Sequence, residues 1–231
     1  MHRYFAVIPA RKGSKGIKNK NIQSFRGKPL LTHSLTHASQ MQTLSGFCLW
    51  TDSPEYYSIA NTHAPTGKDF GLRSKFCCDQ SEDWQFLEDL YQAMRKVKYK
   101  IDAFVLLRPT TPERSVEELD RIVGLFDMHW DSYDSMRTVS VADKTPFKMW
   151  FGKKSDNGTI TGDPLSIRLT KIKNAHSMPR QSLPEVFIQN GVMDIIKLDI
   201  VTNMRSSSGD RVMLVPTQGK MVDIDSEKDF L

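Results

Sequence analysis

The stretch that decides the fold is Tyr4–Asn21, "YFAVIPARKGSKGIKNKN". Tyr4 to Ala10 is a short apolar run of the length of a buried strand. It runs straight into a turn that holds Gly13 and Gly16. From Ile8 to Asn21 the chain carries five cations and no anion. In an α/β sheet, the turn after the first strand lies at the carboxyl edge, where ligands bind. The two glycines let backbone N–H groups come close to an anion. Arg11, Lys15 and Lys20 would neutralise a multiply charged group such as a triphosphate. The spacing is neither G-x-x-x-x-G-K-[ST] nor G-x-G-x-x-G. A plain solvated basic loop would carry the same charge, so the loop needs support from elsewhere in the chain.

Working outward, strands and helices alternate. Pro29 suits the first turn of a helix, with Leu31, Leu35 and Ala38 as its apolar stripe. Gly46–Thr51, "GFCLWT", reads as a second strand. Ser81–Lys98 reads as a helix, with Leu87, Leu90, Tyr91, Met94 and Val97 at helical spacing. Asp102–Leu107, "DAFVLL", is a third buried strand. Ser115 and Glu118 predict a capping box ahead of Val116, Leu119, Val123 and Phe126. This alternation predicts a parallel sheet covered on both faces. Ser135–Val141 is a further strand. Lys144–Arg180 has little periodicity and includes the apolar "FKMWF", Phe147–Phe151. It reads as an excursion from the sheet that packs on another subunit. Val186–Ile196 and Arg211–Val215 return to strand character.

Charge is distributed unevenly. The chain has 231 residues and a formal net charge of +5. Residues 1–51 hold eight Lys or Arg and no Asp or Glu, so the remainder is net acidic. A local anionic ligand fits this better than a nucleic-acid surface, which would spread basic residues along one face. No apolar run reaches the roughly 18 residues of a membrane span. The opening residues lack the order of a signal peptide. Three cysteines, two of them adjacent, fit neither a disulfide framework nor a zinc site. The expected setting is the cytoplasm, with no membrane or nucleic-acid partner. His33 and His37 lie four apart on a helix but have no acidic companion, and are not read as metal ligands.

Two further segments carry chemistry. In "VDID", Val222–Asp225, an extended chain puts Asp223 and Asp225 on one face. Their mutual repulsion would be relieved by a hard cation such as Mg2+ bridging to phosphate oxygens. In "LLRPTTPER", Leu106–Arg114, a proline-stiffened connection leaves the third strand, with Arg108 and Arg114 available to an anionic or hydroxylated substrate.

In this order the segments resemble the acylneuraminate cytidylyltransferase (CMP-sialic acid synthetase) family. Its "PARGGSKGIPxKN" stands here as "PARKGSKGIKNKN", its "LLQPTSPLR" as "LLRPTTPER", its "RQxLPxxxxxNGAIY" as "RQSLPEVFIQNGVMD", and its "VDIDxExDF" as "VDIDSEKDF". The resemblance implies an α/β, nucleotide-diphospho-sugar transferase-like (Rossmann-like) three-layer sandwich with a mostly parallel sheet. It implies a single domain over residues 1–231, with a dimerisation excursion at roughly 144–180. It implies a homodimer that joins CTP to an acidic 2-keto sugar with Mg2+, releasing pyrophosphate. The alternatives are another sugar acid or a sugar phosphate, or a nucleotide binder without catalysis. By resemblance, Pro9, Ala10, Arg11, Ser14, Lys15, Lys20, Asn21 and Arg73 bind the nucleotide. Arg11, Lys20 and Asp225 are catalytic, and Asp223 and Asp225 hold the metal. Arg108, Arg180, Gln181 and Asn190 face the sugar. Three positions depart from the pattern: Lys12 for Gly, Arg108 for Gln and Asp194 for Tyr. The last two point to a sugar other than N-acetylneuraminate.

Overall fold

The computed structural model describes residues 1–13, 16–74, 81–154, 156, 160–165, 169, 172, 174–217 and 222–230. The chain divides into two units, Met1–Thr138 with Asn190–Leu231, and Val139–Gln189.

The larger unit is built on β1 (Tyr4–Pro9). A short antiparallel pair follows, β2 (Ser24–Phe25) and β3 (Lys28–Pro29), and Pro29 then caps α1 (Leu30–Gln40). β4 (Leu44–Trp50) returns to the sheet, and α2 (Pro54–His63) starts where the Ser53 hydroxyl accepts the Tyr56 N–H. α3 (Asp83–Lys96), β5 (Ala103–Leu106) and α4 (Val116–Met128) complete the alternating part. β6 (Ser135–Val141) leads into the smaller unit, which contains β7 (Trp150–Lys154) and β8 (Ile160–Pro164). β9 (Phe187–Lys197) leads back to α5 (Leu198–Thr202) and β10 (Val212–Pro216).

The sheet order is β10-β6-β9-β5-β1-β4. β1 is parallel to both β4 and β5, and β5 is antiparallel to β9. The period of two along β1 divides the core into two layers. Tyr4, Ala6 and Ile8 enter one apolar cluster with Leu31 and Leu35 of α1, Tyr56 of α2 and Phe126 of α4. Phe5 and Val7 enter the other, with Leu87, Leu90 and Met94 of α3 and Val201 of α5. The expected helix-covered, three-layer α/β architecture is therefore present. Each fully buried Leu or Phe in these layers contributes about 1.5–3 kcal/mol of transfer free energy.

Several local expectations need correction. The capping box belongs to α3, where Glu82 and Gln85 cap each other's backbone N–H groups. On α4, Ser115 accepts the Glu118 N–H but donates its own proton to Glu117. The aperiodic excursion contains the antiparallel β7–β8 pair, which the sequence did not announce. "VDID" is not the strand expected: among its residues, Ile224 donates its N–H to Thr110 O.

A loop lies along the outer edge of β4. Leu49 donates to Thr66 O, Lys68 to Phe47 O, and Arg73 to Thr51 O. Gly67 makes this approach possible, because it has φ +76° and a Cβ there would sit 2.1 Å from Phe47 O. No rotamer relieves a clash with a backbone carbonyl. Gly67→Ala is expected to cost about 2 kcal/mol or more in chemical denaturation. Unaltered stability would show that the loop detaches from β4 at little cost.

Candidate functional site

The basic loop is tied at several points. Gly13 has φ +88°, the left-handed region that favours glycine. Arg11 Nη1 donates to Gly13 O at 2.9 Å. Buried Asn21 donates from Nδ2 to Arg11 O at 3.2 Å, closing the loop on itself. Lys12, the departure from the family glycine, pins the loop to the end of β4 and the start of α2. Its N–H meets Asp52 Oδ1 at 2.7 Å and its Nζ meets Glu55 Oε2 at 2.8 Å. Ser14 and Lys15, both expected at the nucleotide, lie outside the described residues.

Lys20 leads away from the loop to the far end of the sequence. Its Nζ donates to Ile224 O at 2.7 Å and to Asp225 Oδ1 at 3.0 Å. Gly16 lies against the same segment, since a Cβ there would be 3.5 Å from Asp225 O. Asp223 and Asp225 are exposed on either side of buried Ile224, so the alternation expected of a strand survives without one. Ile224 packs with Phe25 and Leu30. Asp229 fixes the turn by accepting the N–H groups of Asp225 and Ser226 and the Ser226 hydroxyl. Those backbone N–H bonds, from Ser226 first, hold the Asp229 carboxyl below its usual range. Asp223, though exposed as a residue, is displaced the other way, raised first by partial desolvation of its carboxyl and then by the charge of Asp225. Two crowded carboxylates of which one resists ionisation make a donor set suited to a hard divalent cation. Among the described residues no group of three or more metal-ligating side chains occurs.

The connection after β5 joins these parts. Its Thr110 accepts the Ile224 N–H and hydrogen-bonds Asp223. Arg114 is not available to a substrate, contrary to the expectation. It is partly buried, donating to Val192 O at 2.6 Å, Ser34 Oγ at 2.9 Å, Arg108 O at 2.7 Å and Gly191 O at 3.4 Å. Burial lowers its pKa to about 9, which leaves it charged at neutral pH. Arg108 binds both carboxylates of a group the sequence did not announce. Its guanidinium chelates Asp83, the first residue of α3, and its Nη2 lies 3.4 Å from Asp194 Oδ2. Asp194 is buried and also meets Arg137 Nη1 at 3.1 Å. Burial works against the Arg108 cation, but Asp83 and then Asp194 more than offset it, so its pKa is raised.

The remaining expected residues are dispersed. Ala10 is buried and its N–H is taken by Trp50 O, next to Pro9 at the end of β1. Arg73 is buried with its guanidinium 4.8 Å from the centre of the Phe86 ring. Asn190 donates to Thr217 Oγ1 at 2.7 Å. Arg180 and Gln181 belong to the smaller unit. There they line a cavity of about 280 Å3 with Thr145, Leu183 and Glu185, and Arg180 donates to Ala142 O.

The parallel β4-β1-β5 core thus carries a glycine-bearing cationic loop, and Lys20 of that loop meets one of the paired carboxylates. Residues 5–68 match the cytidylyltransferase family model. The chain is 30% identical over 143 residues to an N-acylneuraminate cytidylyltransferase of Escherichia coli O18:K1:H7, covering 62% of this chain and 32% of that protein. It is 30% identical over 140 residues to a CMP-N,N'-diacetyllegionaminic acid synthase of Legionella pneumophila, covering 60% of each. The chain is thus similar in sequence to acylneuraminate and legionaminic acid cytidylyl enzymes, and the matches span from about a third to three fifths of these proteins. In fold it resembles CMP:2-keto-3-deoxy-manno-octonic acid synthetase solved with CTP. The TM-score is 0.63 at 15% identity, over 98% of this chain and 94% of that one.

Arg114 gives the sharpest test of the site's frame. Arg114→Met leaves several buried oxygens without a donor and is expected to cost about 3 kcal/mol. Urea denaturation reads it, and a loss below about 0.5 kcal/mol would mean that water replaces the guanidinium.

Proposed function

We propose that the chain transfers the cytidylyl group of CTP to an acidic 2-keto sugar, giving a CMP-sugar and pyrophosphate. The observation that carries this reading is the contact of Lys20 with Asp225, which joins the cationic loop to the carboxylate pair. Triphosphate cations and metal-holding carboxylates are needed in one place for this reaction, and sequence neighbours do not supply them.

In this reading Arg11, Ser14, Lys15 and Lys20 hold the triphosphate, with Asn21 keeping the loop in shape. The carbonyl oxygens of Pro9 and Ala10 face the base, whose exocyclic amine is a donor, and Arg73 closes that side. Asp223 and Asp225 hold Mg2+, which when bound would neutralise phosphate charge and polarise the reacting oxygens. The anomeric hydroxyl of the sugar attacks the α-phosphorus and gives up its proton to solvent, and the bond from that phosphorus to the bridging oxygen of pyrophosphate breaks. Arg11 and Lys20 stabilise the charge that grows on the departing group. Lys20 moves from Asp225 towards phosphate when CTP and the cation arrive. Arg108, Arg180, Gln181 and Asn190 face the sugar. The smaller unit is the dimerisation excursion, read from its exposed Met149, Trp150, Phe151, Ile160 and Ile188. The cytoplasm is the proposed setting. Among the described residues no helix is long and apolar enough to cross a membrane.

Purified protein with CTP, Mg2+ and a panel of 2-keto sugar acids is expected to release pyrophosphate, and ATP, GTP and UTP are expected not to substitute. Lys20→Ala should lower kcat by about 100-fold, a larger loss than the small drop in melting temperature from its lost bond to Ile224 O. Asp225→Asn should remove Mg2+-dependent turnover. Full activity in either variant would overturn the assigned role, and silence with every acid would overturn the function.

A further inference from the structure

A second concentration of cations lies far from the loop after β1. "RKVKYK", Arg95–Lys100, holds four cations in six residues and no anion. It closes α3 and leads into β5, so it sits at the sheet edge where the parallel strands begin. Arg3 stands at the same edge, just before β1, while the cationic loop follows β1. The six residues of β1 put about 20 Å of strand between the two ends. Here Arg3, Arg95, Lys98 and Lys100 surround a cavity of about 450 Å3 with Tyr91, Tyr99 and Ile101. None of the residues lining it is acidic.

Two of its walls are fixed. Tyr99 donates its hydroxyl to Ser45 O at 2.9 Å, and its ring meets Phe5 and Phe70 edge to face. Arg3 is clamped by Asp102, which accepts from Nε at 3.0 Å and from Nη2 at 2.7 Å. The other three cations have no carboxylate among the described residues. Arg95 donates to Gln92 Oε1 at 3.3 Å, and the ammonium groups of Lys98 and Lys100 meet no acceptor there.

A helix C-terminus attracts cations, which accounts for Arg95 and Lys96 in the last turn of α3. It does not account for Lys98. This residue follows the cap Val97 with φ +55°, a position and conformation that glycine ordinarily fills. The carbonyls of the last turn are already satisfied, since Tyr99 N–H donates to Met94 O at 3.0 Å and Lys98 N–H to Arg95 O at 3.0 Å. Lys98 therefore holds a strained backbone beside like charges that repel it. An anion in the cavity would turn that repulsion into attraction.

We propose that this cavity is a second ligand site, separate from the carboxyl edge, for a phosphorylated organic anion of nucleotide size. Arg95, Lys98 and Lys100 match a group with two or three negative charges. Tyr91, Tyr99 and Ile101 give the organic part an apolar wall, and the volume suits a small molecule. A concave site of this kind fits a small ligand better than the flat face of a polymer or a bilayer.

Isothermal titration with adenosine diphosphate tests this, because the carboxyl edge is read as a cytidine site. The parent is expected to bind one equivalent. Arg95→Gln/Lys98→Gly/Lys100→Gln should weaken that binding at least tenfold, while Arg11→Ala should keep it. All three positions are exposed, so the triple variant should fold. Lys98→Gly alone has effects of opposite sign: a higher melting temperature for the free protein, and a smaller rise when the nucleotide is added. No binding by the parent, equal affinity in the triple variant, or loss of binding in Arg11→Ala alone would overturn the inference. Binding of the parent to vesicles of phosphatidylglycerol and phosphatidylcholine, without binding to the nucleotide, would overturn it too and make the patch a membrane contact. Pyrophosphate release from CTP reads the carboxyl edge independently and is expected to be unchanged in the triple variant, so either site can fail without the other.

Discussion

One part-buried cation, with its donors committed to the protein, organises the carboxyl edge of the sheet. Arg114 sits under the loop after β5 and donates to oxygens from that loop, from the bend ahead of β9's inner half and from α1. A guanidinium without a carboxylate partner is costly to bury, and only a full set of acceptors makes the position tenable. The geometry is therefore strict. The loop cannot shift without stranding either the charge or the carbonyls. Thr110 and Arg108 inherit their positions from this arrangement, and through them so do the Asp223–Asp225 segment and the contacts of Arg108 with Asp83 and Asp194.

The layered fold was largely legible in the sequence because it rests on periodicity. β1, β5, α3 and α4 each show their buried faces as spacing, and the alternation of strand and helix predicts the covered sheet. α2 was missed because only Tyr56 and Ala60 of its residues are buried, too few to make a stripe. The β7–β8 pair was missed because its described residues are largely exposed, so no inside–outside alternation marks it.

The site was legible where charge and glycine concentrate locally. The cationic loop and the paired aspartates stand out as short strings, and the structure brings Lys20 of the one to Asp225 of the other. What could not be read was which charges are already spent. Arg114 looks like a ligand cation in the sequence, yet backbone oxygens and the Ser34 hydroxyl occupy it. Asp83 and Arg137 gave no signal, because their relation to Arg108 and Asp194 depends on strand order and register. Charge composition reveals that a ligand site exists; tertiary pairing decides which cations remain for it.

The Lys20–Asp225 contact closes a span of 205 residues. Contacts of that separation form late, after nearer ones have reduced the entropy of closure. During synthesis the cationic loop and β1 leave the ribosome long before residue 225 exists. Until then a cluster of lysines and an arginine stands without its opposite number, and the apolar seat of Ile224 between Phe25 and Leu30 is open. The nascent protein thus carries an uncovered basic, partly greasy end, a state that ends only when the distant segment docks and completes the site.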